Sequence, residues 1–515
     1  RTRREIWVAG GRVDDVTVHP KLTGGARSLA GIFDRQHRFA AECLYEDPEA
    51  GGPTNVSHML PRSKGELWRR HAGLVRLSEG SMGIMGRTPD YMNMKFSAFA
   101  SAPNVWAGAD GRNERGARNI VNYQRFLARG DVSLTHTIIQ PTVDKRTDAR
   151  LVGNKVSVRK VGETKDGIVV RGARVLATLA PYADEQTVYP GQPIPPDATD
   201  YAVAFAIPLD TPGLKFLCRD SAAAPGADPF DKPLSTRFDE QDAVCLFDDV
   251  VVPWDRVFID GDVKIYNSMR DTGYAANMVT HAAIRAHTKL EFAYGLATRM
   301  AELIGDHAPA TIEMLGEIAC YARLTANAVE LSLEQAEERA DGYWFPSSAV
   351  LEPIRAILPS WMPRVAEIIT LIGSHNLLAT PSRAQLDDPA LRPLLDEMLH
   401  GADGASAEER AQVFRLAWDF VGSSLAGRGF LYERFYLTSG PRIRQLLHQR
   451  LYDRTRSRAL LADMMSRPPA GGRRERPAGL CGLAVAPGTP PPNTERCKRT
   501  AVTADQEEKP MRSEE

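Results

Sequence analysis

The pattern of apolar and polar positions changes twice along the chain. Residues 24–125 place apolar residues at helical spacing between turn-rich stretches, and residues 133–265 carry runs typical of strands. From His281 onward the helical period returns. The pattern predicts an α+β protein with three folded regions and a tail. These are an N-terminal mostly helical domain (1–132), a central β-barrel-like domain (133–265), a C-terminal helical bundle (266–466) and a tail (467–515).

The strands are predicted from three segments. Residues 155–175 alternate apolar and polar positions around a turn at residues 165–167, which is a hairpin signature. Two further apolar runs, 201–209 and 243–259, are rich in Val, Ala and Phe. They predict buried strands of the same domain.

The bundle is predicted from four helical stretches. Apolar stripes of period 3.6 run along the first two, which predicts two long antiparallel helices. We expect Pro359 and Pro363 to delay the start of the third, because proline lacks an amide hydrogen and clashes with the preceding turn. The predicted helices are 287–305, 311–338, 354–374 and 409–436.

Composition narrows the class of protein. The 515 residues suggest two or three packed units, and 64 Lys plus Arg against 65 Asp plus Glu give no net field that would favour nucleic acid or an anionic membrane. No apolar run approaches the roughly 20 residues that cross a bilayer, and the first residues carry no leader pattern. We expect a soluble, cytoplasmic protein.

Cysteine and proline usage add two expectations. The six cysteines are spread without a CxxC pair, which indicates reduced thiols and predicts no metal site. Residues 467–515 are rich in Pro, Gly and charge and poor in apolar residues, so we predict a disordered tail.

The first candidate for chemistry is the segment MGRTPDYMN. Arg87 and Tyr91 lie four residues apart around a Thr-Pro-Asp element, which can aim a fixed cation and a phenol hydroxyl at one point. The alternative is a helix start, with Thr88 as a cap, Pro89 at the first helical position and Arg87 on the surface. On pattern alone the helix start is favoured.

Two later segments carry the other candidates. His136 lies in the apolar run SLTHTIIQPTVDKRT, and Thr178 lies among small residues in RGARVLATLAPYADE. A single histidine in an apolar run is more often a core residue than a catalytic one, and Thr178 alone would be an ordinary strand end.

Together these segments resemble the large subunit of the 4-hydroxyphenylacetate 3-monooxygenase family. The similarity covers about residues 1–455, and the order of helices, β domain and bundle is that of the acyl-CoA dehydrogenase class of flavoproteins. The further segments that carry the resemblance are IWVAGGRVDDVTVHP (6–20), TPGLKFLCR (211–219), FDDVVVPWDRVF (247–258), TPSRAQL (380–386) and GSSLAGRGFLYERFY (422–436).

The resemblance implies an oxygenase component that hydroxylates a para-substituted phenol ortho to its hydroxyl. Reduced FAD from a separate NAD(P)H:flavin reductase would react with O2 to give a C4a-hydroperoxyflavin, which transfers one oxygen. The chain carries no GxGxxG or Walker motif, in agreement with reduction elsewhere. By the family pattern, Arg87, Tyr91 and His136 surround the phenol oxygen.

The resemblance also implies FAD contacts in three places and a homotetramer built through the bundle. In the last of the three, small residues would let the backbone approach the cofactor, and Arg428 would pair with a phosphate. The implied FAD contacts are His136, Thr137, Ile138, Thr142, Val143, Asp144, Lys145, Thr178, Ser424, Gly427 and Arg428.

Two departures from the family pattern leave the para substituent open. Residues 101–117 look longer than usual, and residues 185–200 lack a Ser-Thr pair like the one that meets the substrate carboxylate in the hydroxyphenylacetate enzymes. A tyrosine-derived phenol, or one attached to a carrier protein, is therefore an alternative substrate.

Three other activities were weighed. A 4-hydroxybutyryl-CoA dehydratase needs thiolates for its iron–sulfur cluster, yet no cysteine lies between Cys43 and Cys218, and Thr288 stands where one would be sought. An acyl-CoA dehydrogenase is disfavoured because the bundle offers no persuasive catalytic glutamate. A non-catalytic flavin-binding scaffold is disfavoured by the intact Arg87, Tyr91 and His136.

Overall fold

The computed structural model describes residues 3–148, 151–436 and 439–467. It divides into one unit, Arg1–Tyr452, and a second, Asp453–Glu515, whose described part is a single short helix. The predicted disordered tail lies outside the described residues except for Arg467. None of the described helices is long and apolar enough to cross a membrane.

The N-terminal region is mostly helical, with short strands at its start and middle. The amphipathic helix α6 buries Ile120, Tyr123 and Leu127, which recur at helical spacing. Helix α4 is buried on every side. The elements are β1 (Glu5–Val8), β2 (Gly11–Val13), α1 (Thr23–Arg38), α2 (Ala40–Cys43), β3 (Leu44–Asp47), β4 (Gly52–Asn55), α3 (Lys64–Glu79), α4 (Pro89–Ala100), α5 (Pro103–Ala107) and α6 (Glu114–Gly130).

The central region forms two sheets. The six-stranded sheet has the order β2-β1-β10-β11-β7-β6, and the four-stranded sheet has the order β12-β9-β8-β5. The elements are β5 (Leu134–Thr137), α7 (Lys145–Asp148), β6 (Arg159–Glu163), β7 (Gly167–Thr178), β8 (Glu185–Val188), β9 (Val203–Pro208), β10 (Leu214–Cys218), β11 (Asp242–Pro253) and β12 (Val257–Asp260).

These strands confirm the three predicted segments. Strands β6 and β7 pair antiparallel as the expected hairpin, and β9, β11 and β12 occupy the two apolar runs. Residues that precede the helical region also join the larger sheet, because β1 pairs in parallel with β10. The apolar faces of the two sheets enclose a common core that includes Phe205, Phe216 and Phe247.

The C-terminal region is the expected helical bundle. Its core is built mainly from α9, α10, α11 and α14, with Leu290, Met300, Ile318, Val365 and Phe414 among its buried residues. The elements are α8 (Val263–Asn267), α9 (Tyr274–Leu303), α10 (Pro309–Glu334), β13 (Glu337–Glu338), β14 (Trp344–Phe345), α11 (Ser348–Gly373), α12 (Arg383–Asp387), α13 (Arg392–Met398), α14 (Ala407–Val421), α15 (Ser424–Phe435), α16 (Gly440–Leu446) and, in the second unit, α17 (Thr455–Ser466).

The prediction that prolines delay the third helix was wrong. Helix α11 begins at Ser348 and continues through Pro353, Pro359 and Pro363. Pro363 lies four residues after Pro359, so the hydrogen bond lost at Pro363 is the one to the Pro359 carbonyl. The bonds lost at the two prolines therefore lie in one row along the same side of the helix. Buried apolar side chains on the same helix hold it in the bundle despite those losses.

Two other helix limits differ from the prediction. Helix α9 begins at Tyr274, well before the predicted start, because its first turns are buried rather than amphipathic and show no stripe. The predicted helix 409–436 is two helices, α14 and α15, separated at Gly422 and Ser423, where the Ser423 hydroxyl accepts from the Ala426 amide and starts the second helix.

Candidate functional site

The first candidate residues lie where a loop enters the buried helix α4. Pro89 occupies the first turn of α4, as the helix-start reading predicted, but Thr88 makes no side-chain capping bond to the helix. The second residue, Asp90, accepts a hydrogen bond from Nε2 of His281 in α9 at 2.7 Å. Burial alone raises the pKa of Asp90, but the adjacent His281 more than offsets this and lowers it. This pair fastens the start of α4 to the bundle.

Arg87 lies between aromatic rings rather than on the surface. Its guanidinium carbon is 4.1 Å from the centre of the Tyr91 ring and 4.2 Å from that of Tyr436. In the described part of the chain no carboxylate pairs with its side chain, whose one hydrogen bond is a 3.5 Å contact to the Gly86 carbonyl. A guanidinium held in this way keeps most of its donors for another group.

The backbone that carries Arg87 is fixed by a buried carboxylate. Glu240, which is fully buried, accepts from the Gly86 amide at 2.5 Å and from the Arg87 amide at 2.7 Å. Its other oxygen accepts from Arg428 at 2.7 Å. No local pattern could have indicated Glu240, because it stands 153 residues from its partner Arg87.

His136 is stacked within a ladder of aromatic rings. The centre of its ring is 5.6 Å from the ring centre of Tyr91 in α4 and also 5.6 Å from that of Tyr189, and both pairs are stacked. Its Nδ1 atom is buried and has no hydrogen-bond partner among the described residues. Burial, with the nearby charges of Arg87 and Lys95, holds the pKa of His136 well below its usual value, so the ring is neutral.

A buried lysine that the sequence analysis did not single out completes this cluster. Lys95 follows Tyr91 by one turn of α4, and its Nζ atom donates to the Tyr189 hydroxyl. The side chain is 3% exposed. Helical spacing could have found Lys95, since residues i and i+4 share a face, but nothing in the sequence indicated that the face is buried.

The implied FAD contacts after β5 fall on a buried strand end and an exposed turn. Thr137 donates to the Val175 carbonyl at 2.8 Å, and the Ile138 carbonyl accepts from Arg174 at 2.9 Å. The remaining members line the turn before α7. Thr142, Val143 and Lys145 are exposed there, and Asp144 is half-buried and pairs with Arg146.

The later implied FAD contacts differ in whether their side chains already have partners in the protein. Ser424 and Gly427 share an exposed face at the start of α15, and a side chain added at Gly427 would meet open space. Thr178 donates to Asp242 at 2.6 Å, and Arg428 holds the same carboxylate at 2.9 and 3.0 Å. A phosphate at Arg428 would have to share it with Asp242.

The residues present fit a large planar cofactor beside His136. The unpartnered His136 Nδ1 is a buried polar atom that lacks a hydrogen bond, and the exposed turn 142–145 offers hydroxyl, amide and ammonium donors. The open face of α15 leaves space for a second point of contact. Two of the implied contacts already have a charged partner, since Arg428 pairs with Asp242 and Glu240, and Asp144 pairs with Arg146.

Comparisons with known proteins place the whole folded chain in one group. A family model described as 4-hydroxyphenylacetate 3-hydroxylase N terminal matches residues 1–259, and the corresponding C-terminal model matches residues 267–466. The chain is 37% identical over 448 residues to the 4-hydroxyphenylacetate 3-monooxygenase oxygenase component of Thermus thermophilus, with 86% of this chain and 90% of the relative covered.

A second relative is named for a different substrate. It is the (3S)-3-amino-3-(3-chloro-4-hydroxyphenyl)propanoyl-[peptidyl-carrier protein SgcC2] monooxygenase of Streptomyces globisporus. The identity is 32% over 450 residues, with 85% of this chain and 82% of the relative covered.

The comparison with solved structures points to the same family. The crystal structure of a 4-hydroxyphenylacetate 3-monooxygenase oxygenase component, complexed with FAD and 4-hydroxyphenylacetate, superposes with a TM-score of 0.83 at 35% identity, covering 90% of this chain and 96% of that one. An acyl-CoA dehydrogenase from Geobacillus kaustophilus matches with a TM-score of 0.53 at 13% identity over 84% of this chain and 92% of that one. The predicted acyl-CoA dehydrogenase-like fold is confirmed.

Proposed function

The chain belongs to the 4-hydroxyphenylacetate 3-hydroxylase family, and we propose that it is the oxygenase component of a two-component, FAD-dependent monooxygenase. It hydroxylates a para-substituted phenol at the carbon ortho to the hydroxyl group. A separate NAD(P)H:flavin reductase provides the reduced cofactor. Bound as reduced FAD, that cofactor activates O2 and supplies the oxygen atom.

The observation that carries the proposal is the state of Arg87. A half-buried cation between two tyrosine rings, without a carboxylate partner in the described residues, is prepared to receive an anion. The anion that ortho hydroxylation requires is the phenolate, because a negative oxygen makes the ortho carbon electron-rich. Arg87 and the Tyr91 hydroxyl therefore hold the phenol oxygen in its ionised form.

His136 is the acceptor of the phenol proton in this proposal. Burial and the cations Arg87 and Lys95 lower its pKa, so the ring is neutral in the free protein and one nitrogen keeps a free lone pair. A phenolate forming at Arg87 would offset those cations and so strengthen the ring as a base. The stacked rings of Tyr91 and Tyr189 hold the imidazole plane in place. Arg87 and Tyr91 bind the oxygen while His136 takes the proton from it, so the three residues act as one unit.

The FAD is assigned to the surfaces that flank this unit. The turn 142–145 and the exposed residues Ser424 and Gly427 would supply contacts, together with Thr137 and Thr178 at strand ends and Ile138 just after β5. Arg428 belongs to the proposal as a phosphate contact that also binds Asp242. Closing these surfaces around the cofactor keeps water from the reacting atoms.

A carrier-bound phenol is the second candidate substrate. The relative from Streptomyces globisporus has a peptidyl-carrier-bound substrate in its name, and its identity to this chain is close to that of several hydroxyphenylacetate enzymes. The same residues would hold the phenol oxygen of either substrate. The candidates differ only in what is attached to the para carbon.

The proposal is tested by reconstitution. Purified protein is incubated with FAD, a flavin reductase, NADH and a panel of para-substituted phenols, both free and loaded on a carrier protein, and the products are identified by mass spectrometry. We expect a catechol from at least one phenol and no NADH consumption when the reductase is left out. FAD binding without any hydroxylated product would support the scaffold instead.

The assembly and location belong to the same proposal. We expect a homotetramer built through the bundle, because α10 carries the exposed apolar residues Leu324 and Leu331 one heptad apart on one face. The expected location is the cytoplasm.

A further inference from the structure

Lys95 is a buried charge-bearing group with no acidic partner. Its Nζ atom lies 5.1 Å from the centre of the Tyr91 ring, 4.3 Å from that of Tyr189 and 5.3 Å from that of Tyr274. Its hydrogen bond in the described part of the chain goes to the Tyr189 hydroxyl. The one other charge that acts on it there is Arg87, which is also a cation.

A buried lysine without an acidic partner lowers the stability of the fold unless a bound anion pairs with it. Burial and the Arg87 charge lower the pKa of Lys95, so its ammonium form needs an anion beside it, and the tyrosine rings offset only part of that cost through cation–π contacts. Lysines elsewhere in the interior are arranged differently. Lys289, which is equally buried, is paired with Glu433 at 3.2 Å.

The position of Lys95 relates it to the phenol oxygen. Lys95 lies on the same face of α4 as Tyr91, one turn further on, and one turn rises about 5.4 Å. That rise is close to the separation between the oxygen of a phenol and the first atom of its para substituent. In a phenol bound with its oxygen at Arg87 and its long axis along α4, the para side chain would lie at the level of Lys95.

We propose that Lys95, oriented by the Tyr189 hydroxyl, is the specificity residue that binds an anionic group on the para side chain, so that the preferred substrates are phenols bearing a carboxylate. This assignment rests on the proposed function, since it takes the phenol oxygen at Arg87 as its reference point. It also answers the departure seen in the sequence. Tyr189 lies within residues 185–200, the segment that lacks the Ser-Thr pair, and its hydroxyl accepts from Lys95.

Binding of two phenols that differ only in charge tests the assignment without turnover. The probes are 4-hydroxyphenylacetate and its neutral amide, 4-hydroxyphenylacetamide, titrated calorimetrically into the wild-type protein, Lys95→Met and Lys95→Arg. A charge-assisted hydrogen bond in a buried site contributes a factor of about ten or more to affinity. We expect the preference for the acid over the amide to fall by about that factor in Lys95→Met and to be largely kept in Lys95→Arg.

Controls separate a binding role from a structural one. Lys165→Met removes a lysine from the exposed hairpin turn and should leave the preference as in the wild type. Melting temperatures show whether Lys95→Met is folded. If that variant loses affinity for acid and amide by the same factor, or if the wild type shows no preference for the acid, Lys95 only supports Tyr189 and the assignment is overturned.

The same two probes separate a failure of the Lys95 assignment from a failure of the proposed oxygenase function. Hydroxylation of the amide, together with equal affinity for acid and amide, would keep the proposed function and reject the role of Lys95. Strong preference for the acid without hydroxylation of either probe would keep the anion site and reject the oxygenase proposal.

Discussion

Replacing Arg87 by alanine separates phenol activation from cofactor binding. The substitution removes a guanidinium that lies 4.1 and 4.2 Å from two ring centres and leaves no buried carboxylate unpaired in the described part of the chain, so the fold should survive. The backbone bonds from residues 86 and 87 to Glu240 do not depend on the side chain.

The size of the effect follows from the contact that is lost. Removing one preorganised donor from a developing oxyanion in a buried site costs roughly 3 kcal/mol, which corresponds to about a hundredfold in rate. Hydroxylation by Arg87→Ala should fall by about that factor while FAD binding is retained. The reducing equivalents then appear as hydrogen peroxide instead of catechol.

The assay measures catechol, hydrogen peroxide and NADH consumption in the same reconstituted reaction. Arg87→Lys keeps a charge but loses the planar fork of donors, so it should lie between the wild type and Arg87→Ala. Arg118→Ala, on the exposed face of α6 beside Glu114, is the matched control. If Arg87→Ala abolishes FAD binding and its residual turnover keeps the wild-type ratio of catechol to peroxide, Arg87 serves the cofactor and the reasoning is refuted.

Three further outcomes are expected. Burial lowers the pKa of His58 to about 3, so below pH 6.5 the unfolded chain takes up a proton that the native protein does not. The free energy of unfolding should fall by about 2 kcal/mol from pH 7 to pH 5 on this account, and urea denaturation of His58→Met should lack that part of the fall. Leu324→Glu with Leu331→Glu should dissociate the assembly in light scattering, and a wild-type monomer at micromolar concentration would remove the basis for this. Deleting residues 467–515 should leave melting temperature and FAD affinity within error of the full chain, because that segment is poor in apolar residues.

The sequence was informative wherever a signal is local. The hairpin 155–175 carries its own turn and alternation, and it folds as predicted. Arg87 and Tyr91 stand four residues apart in one motif, and the structure brings both to a single cluster with His136.

The rest depended on partners that are distant along the chain. Glu240 and Tyr436 reach Arg87 from two other regions, and no spacing in the sequence relates them to it. In the sequence Lys95 is an ordinary helical lysine, because nothing local indicates that α4 is buried on all sides. The prediction for the prolines of α11 was wrong for a related reason, since burial of the helix outweighed the local tendency of proline to interrupt it.

The claim that Arg87, Tyr91 and His136 hold a phenolate can be tested directly with 4-nitrophenol. Its visible absorbance appears only in the ionised form, so the spectrum reports the protonation state of the bound phenol without FAD, reductase or turnover. At a pH where free 4-nitrophenol is mostly neutral, the wild-type protein should bind it with the phenolate band present, and Arg87→Ala should lose that band. Binding to the wild-type protein with the spectrum of the neutral phenol would contradict the account.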